Sequence, residues 1–203
     1  MLVLTRFVRR LVHALRYRVS AWFKPRMVLG WRRADGVYLP RTRISNVTHI
    51  DHPHQLDLAD NVYIGHFNLI EASGGLSIGE GCQITNYVSV VTHSSHVSLR
   101  LYGAAYCDFQ DHIAYRRGAI AIGAYSFIGP HTVIMPGSKI GKGSVVAAYS
   151  YVDGTFPDFA ILAGNPAVAV GDTRQADAVW LADHPELHAY YIAWAGVQAK
   201  ASD

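Results

Sequence analysis

From residue 122 an aliphatic side chain returns at every sixth position: Ile122, Ile128, Ile134, Ile140, Val146 and Val152. The residue after it is mostly small, as at Gly123, Gly129, Gly141 and Ala147. A helix would repeat at 3.6 and a strand at 2, so neither element alone produces this spacing. The same period runs through the earlier chain in three phases: Ile44, Ile50 and Leu56; then Leu58, Ile64, Ile70 and Leu76; then Ile78, Ile84 and Val90. Each phase is displaced by two residues from the last, which predicts a small insertion at a corner. The pattern predicts a triangular prism in which three hexads make a coil of about 18 residues. The aliphatic residue of each hexad points inward, the small residue relieves crowding at the corner, and successive coils pair as parallel strands roughly 4.8 Å apart.

The period stops after Val90 and resumes at Ile120 or Ile122. The intervening excursion, about residues 92–119, is rich in aromatic, His and Arg residues. A long non-repeating loop thrown out of a regular solenoid points to function, and Tyr102, Tyr106, Phe109 and Tyr115 need a surface to pack on. The ends read differently again. Residues 2–23 predict an amphipathic helix, with Leu4, Phe7, Val8, Leu11, Leu15 and Trp22 on one face and Arg6, Arg9, Arg10 and Arg16 elsewhere. Residues 172–196 predict a helical pair, capped by Asp172 or Thr173, restarted at Pro185 and ended at Gly196, with Leu187, Tyr191 and Trp194 on one face. The chain thus divides into a basic N-terminal arm (1–33), a solenoid (40–171) and a helical C-terminal cap (172–203).

Half of the 203 residues are hydrophobic and 16% are charged, a composition suited to one well-cored domain. The net charge of +3 conceals an asymmetry: residues 1–33 carry +9 with no acid, and the rest carries −6. This speaks against a uniformly basic nucleic-acid binder. It suits an arm, residues 1–24, that lies on an anionic membrane surface. No apolar run is long enough to span a bilayer and no signal-peptide pattern stands at the N-terminus, so the expectation is a cytoplasmic protein whose arm either lies peripherally at the inner face of the membrane or docks on the body or another subunit. Cys82 and Cys107 form no CxxC pair and are expected as free thiols in a reducing compartment.

Candidate chemistry is densest at Thr92-His93-Ser94-Ser95-His96, where the solenoid breaks into the excursion. Acyl transfer to a hydroxyl needs a base of near-neutral pKa, and histidine is the usual choice. The tetrahedral oxyanion needs a donor, commonly a backbone N–H. Neither a GxSxG elbow nor a phosphate-loop lysine pattern is present, which disfavours a serine nucleophile and nucleotide hydrolysis.

The repeat, the histidine-bearing break and the closing Ile161-Leu162-Ala163-Gly164-Asn165-Pro166-Ala167 together resemble the hexapeptide-repeat acyltransferases, which include galactoside, maltose and serine acetyltransferases and enzymes that decorate surface polysaccharides. The resemblance covers about residues 40–171. It implies an all-β fold, a left-handed parallel β-helix with terminal helices, and an acetyl-CoA-dependent enzyme acting on a sugar hydroxyl in surface polysaccharide or lipopolysaccharide assembly. The family's catalytic histidine follows the coil matched by Ile78-Gly79-Glu80-Gly81-Cys82. Counted from Gly79, His93 stands 14 residues on and His96 stands 17; the family spacing falls between them, favouring His96 with His93 next. Asn68, in Gly65-His66-Phe67-Asn68, matches an acceptor-binding asparagine, and Glu71 and Arg100 are further candidates for holding sugar hydroxyls. The family's acetyl-CoA site along the late coils implies Gly129, Ala147, Ala148, Gly164 and Pro166, with Arg174 near the phosphate end. A homotrimer with sites between subunits is implied as well, with no metal.

Three other readings compete. An amino sugar on a nucleotide carrier would be N-acetylated, an amine needing less help from a histidine base. A zinc enzyme of the γ-carbonic anhydrase type uses the same solenoid and three converging histidines; His66, His93, His96 and His131 are available, but that family spaces its later ligand pair more widely than His93 and His96. A non-enzymatic scaffold would bind no acetyl-CoA.

Overall fold

The computed structural model describes residues 24–196 together with residues 8, 11–16, 18 and 19 of the N-terminal arm. The chain winds as a three-faced coil of parallel strands. On the first face Ile44, Ile64, Ile84, Ile128, Val146 and Leu162 stand in register. The second face aligns Ile50, Ile70, Val90, Ile134 and Val152. The third aligns Leu58, Ile78, Ile122, Ile140 and Phe156. Nearly all of these side chains are buried, so the hexad aliphatics form one continuous core along the coil axis. The small residue beside each has a steric cause: a Cβ on Gly123 would come within 2.3 Å of the Lys142 nitrogen in the next coil.

The displacements of phase have a single location. Two extra residues enter between Ile50 and Leu58, two more between Ile70 and Ile78, and the whole excursion between Val90 and Ile122. All three lie at the corner joining the second face to the third. Of each two-residue addition, one result is a second inward residue on the third face, Leu56 beside Leu58 and Leu76 beside Ile78. The same corner therefore widens in coil after coil.

The corner between the first and second faces is built differently. Phe67, Tyr87, His131 and Tyr149 occupy it with φ near +60°, a region costly for residues other than glycine. Their rings stack at 5.2, 4.9 and 4.8 Å. That is the strand spacing itself, so ring stacking offsets the backbone cost.

Both ends of the coil are closed by antiparallel strands. Met27–Arg32 pairs with Tyr38–Ser45 over the first coil, and Ala160–Gly164 pairs with Ala167–Asp172 at the last. Part of the basic arm is thus a strand, because its residues cover an otherwise open sheet edge. Of the helix expected over 2–23, the described residues 11–16, 18 and 19 are helical and exposed; Leu4, Phe7 and Trp22 lie outside the described residues. The excursion holds α1 (Ser98–Tyr102), and the C-terminal cap holds α2 (Thr173–Asp183) and α3 (His188–Ala195). Asp172 accepts the Arg174 N–H at the start of α2, and Gly196 closes α3 with φ 68°. Trp194 of α3 lies against Tyr125 and Phe159, and Lys142 Nζ donates to the Ala195 carbonyl, so the cap covers the third corner.

Candidate active site

The widened corner carries the densest polar cluster. Glu71 ends the strand Leu69–Glu71 on the second face and is buried. Its Oε1 accepts the Ser73 N–H at 2.6 Å, and its Oε2 accepts the Thr92 N–H at 2.9 Å and the Thr92 hydroxyl at 2.6 Å. Burial pushes the Glu71 carboxyl up, but the hydrogen bonds from Ser73 and Thr92 outweigh it and hold its pKa down at about 2. The result is a fixed, buried anion.

His93 sits directly on that anion. Its Nδ1 lies 3.0 Å from Glu71 Oε2 and 3.2 Å from Ser73 Oγ. With Nδ1–H donated to the carboxylate, Nε2 carries the lone pair. The ring is about one-third exposed, and no group of the described residues bonds its Nε2. Tyr115 stacks on the ring at 5.7 Å and 11°.

The excursion supports this arrangement from its neck. His93 and Ser94 pair antiparallel with Arg117 and Arg116. Arg116 forms an ion pair with Asp153 and donates to the Pro136 carbonyl at 2.8 Å, while Arg117 donates to the Ser73 carbonyl. Beyond the neck the loop folds on its own aromatics: Tyr106 stacks on His112 at 3.9 Å, Tyr102 meets Phe109 at 4.9 Å, and the Tyr102 hydroxyl accepts the Ile113 N–H.

The other candidates fall elsewhere. His96, favoured by spacing, is exposed, and among the described residues its Nδ1 meets only Ser94 Oγ, at 2.8 Å, and no carboxylate. Glu71, expected to hold sugar hydroxyls, has its oxygens turned to Ser73, Thr92 and His93. Asn68 is buried at the first corner, where its amide donates to the Gly65 and Thr85 carbonyls and its oxygen accepts the Val88 N–H. Every polar atom of Asn68 serves that corner. Arg100 is exposed on α1 and donates to the His96 carbonyl. Gly129, Ala147, Ala148, Gly164 and Pro166 form a strip along the first corner of the late coils. Arg174 is apart from them, paired with Asp172 and lying over Phe159 at 4.9 Å.

Sequence reasoning missed His52, Ser73 and Tyr115. The two-residue displacements of phase were the available signal, because they mark the corner where all three stand. The possible ligand atoms of Asp51, His52 and Glu71 lie within 4.8 Å of one another. This set does not fit a metal ion, since the lone pairs of Glu71 are already directed at three donors and His93. Within one chain the four histidines of the zinc reading do not converge either. His66 bonds Ser45 Oγ at 2.6 Å and His131 lies between Tyr87 and Tyr149, both at the first corner.

Residues 120–154 match the family model for the bacterial transferase hexapeptide (six repeats). The chain carries that repeat over these residues, and it resembles the acyltransferases built on it. It is 31% identical over 137 residues to YJL218W of Saccharomyces cerevisiae, named as an acetyltransferase, covering 64% of this chain and 65% of that one. That is less than two thirds of the relative's length. It is 25% identical over 169 residues to WcaF of Escherichia coli, named as a colanic acid biosynthesis acetyltransferase, covering 81% of this chain and 86% of that one. Among solved structures it shares its fold with AntD, an N-acyltransferase from Bacillus cereus in complex with dTDP and 3-hydroxybutyryl-CoA. The TM-score is 0.53 at 17% identity over 72% of this chain and 87% of that one. No helix among the described residues is long and apolar enough to cross a membrane.

Proposed function

We propose that the chain is an acetyltransferase that moves an acetyl group from acetyl-CoA to a sugar hydroxyl in surface polysaccharide or lipopolysaccharide assembly. The observation that carries this reading is the His93–Glu71 pair on a buried, fixed anion beside the excursion. His93 Nε2 takes the proton of the acceptor hydroxyl as that oxygen attacks the thioester carbonyl. Glu71 balances the imidazolium that forms. The tetrahedral intermediate then collapses, the C–S bond breaks, and the proton on His93 passes to the departing thiolate, giving the acetyl ester and free CoA. This reading makes His93 the base and leaves His96 outside the proton path.

The donor strip of Gly129, Ala147, Ala148, Gly164 and Pro166 runs along one corner of the prism, and His93 stands at the next. Acetyl-CoA laid along the strip of one copy meets the His93 of a neighbouring copy, so the reading includes a homotrimer and the left-handed coil of the hexapeptide repeat. Sedimentation at three times 22.3 kDa is the expected result. The basic arm of residues 1–24 holds the enzyme at the cytoplasmic face of a membrane, next to a lipid-linked acceptor; deleting it should abolish binding to anionic liposomes.

A second reading, N-acylation of an amino sugar on a nucleotide, is favoured by the likeness to AntD. Thiol release from acetyl-CoA against a panel of sugars and nucleotide sugars separates them. On the first reading, sugars with free hydroxyls support turnover and His93→Ala lowers it about 100-fold or more, while His96→Ala leaves it near wild type. Turnover with amino sugars that is indifferent to His93 would favour the second.

A further inference from the structure

Glu71 faces two histidines. His52 approaches the same carboxylate from the preceding coil, with Nδ1 3.9 Å from Glu71 Oε1 and 3.1 Å from Asp51 Oδ1. That nitrogen is buried and makes no hydrogen bond among the described residues, although the side chain as a whole is 42% exposed. The inner edge of the ring therefore points at two carboxylates and the outer edge at solvent, the same disposition as His93. His52 also has φ 54° and ψ 53°, a strained conformation for a non-glycine residue, at the head of the single turn Pro53–Gln55. Its backbone N–H donates to Asp51 Oδ1 at 2.9 Å, which fixes the turn. A buried nitrogen without a hydrogen bond and a strained backbone at one residue both cost stability, and such costs concentrate at functional sites. The titratable groups facing His52 are Asp51 and Glu71 on the second face and His54, whose ring centroid is 5.8 Å away. His93 faces it across Glu71.

We propose that His52 is a positioning residue, a second imidazole on Glu71 that holds this carboxylate for His93 and competes for its charge when protonated. As a statement about catalysis this rests on the acyltransferase reading above. One carboxylate between two imidazoles favours one cation at a time. Protonation of His52 weakens the support that Glu71 gives to the His93 imidazolium. The activity then loses two protonatable groups, not one, as pH falls.

The test uses the full chain as wild type, His52→Asn and His52→Leu. Asparagine tolerates the left-handed conformation and keeps a polar amide near the position of Nδ1 without titrating; leucine removes the polar group. The first readout is the protonation midpoint of the His93 ring by NMR, which needs no substrate. It should rise by about half a pH unit or more in both variants. The second is the pH dependence of thiol release. The acid limb of kcat/KM should fall with two protons in wild type and one in each variant. His52→Leu should lower kcat about tenfold with KM for acetyl-CoA unchanged, and His52→Asn should recover most of that loss. A residue that merely supports the fold would change thermal stability and leave the acid limb alone. Identical His93 midpoints and acid limbs in wild type and His52→Asn would overturn the proposal, even with turnover dependent on His93. A shifted midpoint in a protein that releases no thiol would retain the pairing and sink the acyltransferase reading instead.

Discussion

The substitution Glu71→Gln isolates the buried anion on which the site depends. Glu71 ionises in the folded protein at about 2, against 4.5 for an unperturbed side chain. A carboxyl with a depressed folded pKa contributes stability that is fully present above its unfolded pKa and is lost as pH falls toward the folded value. The window here is pH 4.5 down to 2, and the contribution above it is about 3 kcal/mol. Within the window wild type should lose about 1.4 kcal/mol per pH unit from this group alone. Glutamine is nearly isosteric, and its oxygen can still accept the Ser73 N–H. Its amide nitrogen then faces the Thr92 N–H, donor against donor, and offers His93 no charge. At pH 7 Glu71→Gln should therefore unfold about 6–12 °C below wild type. The assay is thermal or denaturant unfolding of both proteins at several pH values between 7 and 3. Asp35, Asp60 and Asp153 also have lowered pKa values, so wild type alone does not isolate Glu71. The difference between the two proteins does: it should be constant above pH 5 and shrink as pH falls below 4.5. A difference that stays constant down to pH 3 would refute the claim that Glu71 is a fixed anion. Thiol release by Glu71→Gln at pH 7 should fall by about 10³-fold, because the imidazolium loses its counter-charge and His93 its preferred tautomer.

Three smaller predictions follow from the packing. Gly123→Ala places a Cβ against the backbone of the next coil and should cost about 2 kcal/mol or more in unfolding free energy. Ile134→Ala empties a fully buried position in the middle of the second face and should cost about 2–5 kcal/mol by the same measurement. Asp172→Ala removes the cap of α2 and the partner of Arg174; a loss of about 1–2 kcal/mol is expected, with thiol release retained because both groups lie away from His93.

The coil was legible in the chain because its core is made of local repetition. Each inward aliphatic is set by the two-sided geometry of a short strand, and each coil repeats the last, so Ile122 to Val152 announce their register without any distant information. The strained first corner was not legible: tyrosine, phenylalanine and histidine at positive φ are explained by the ring in the next coil, 18 to 44 residues away. The site divides in the same way. The break at Thr92–His96 and the excursion stand out as departures from a period, and so does the corner at which they occur. Spacing along the chain favours His96, but the ring that meets a carboxylate one coil earlier is His93, and the proposal of His93 as base rests on that contact. In the sequence Glu71 is a candidate ligand for sugar hydroxyls, close to the Asn68 segment. Stacking of the coils buried it, gave it three donors from Ser73 and Thr92, and brought His93 and His52 to opposite oxygens. Sequence periodicity determined the prism and the corner at which it opens. Contacts between residues about 20 apart, invisible to any local pattern, decided which of the polar groups at that corner carry charge.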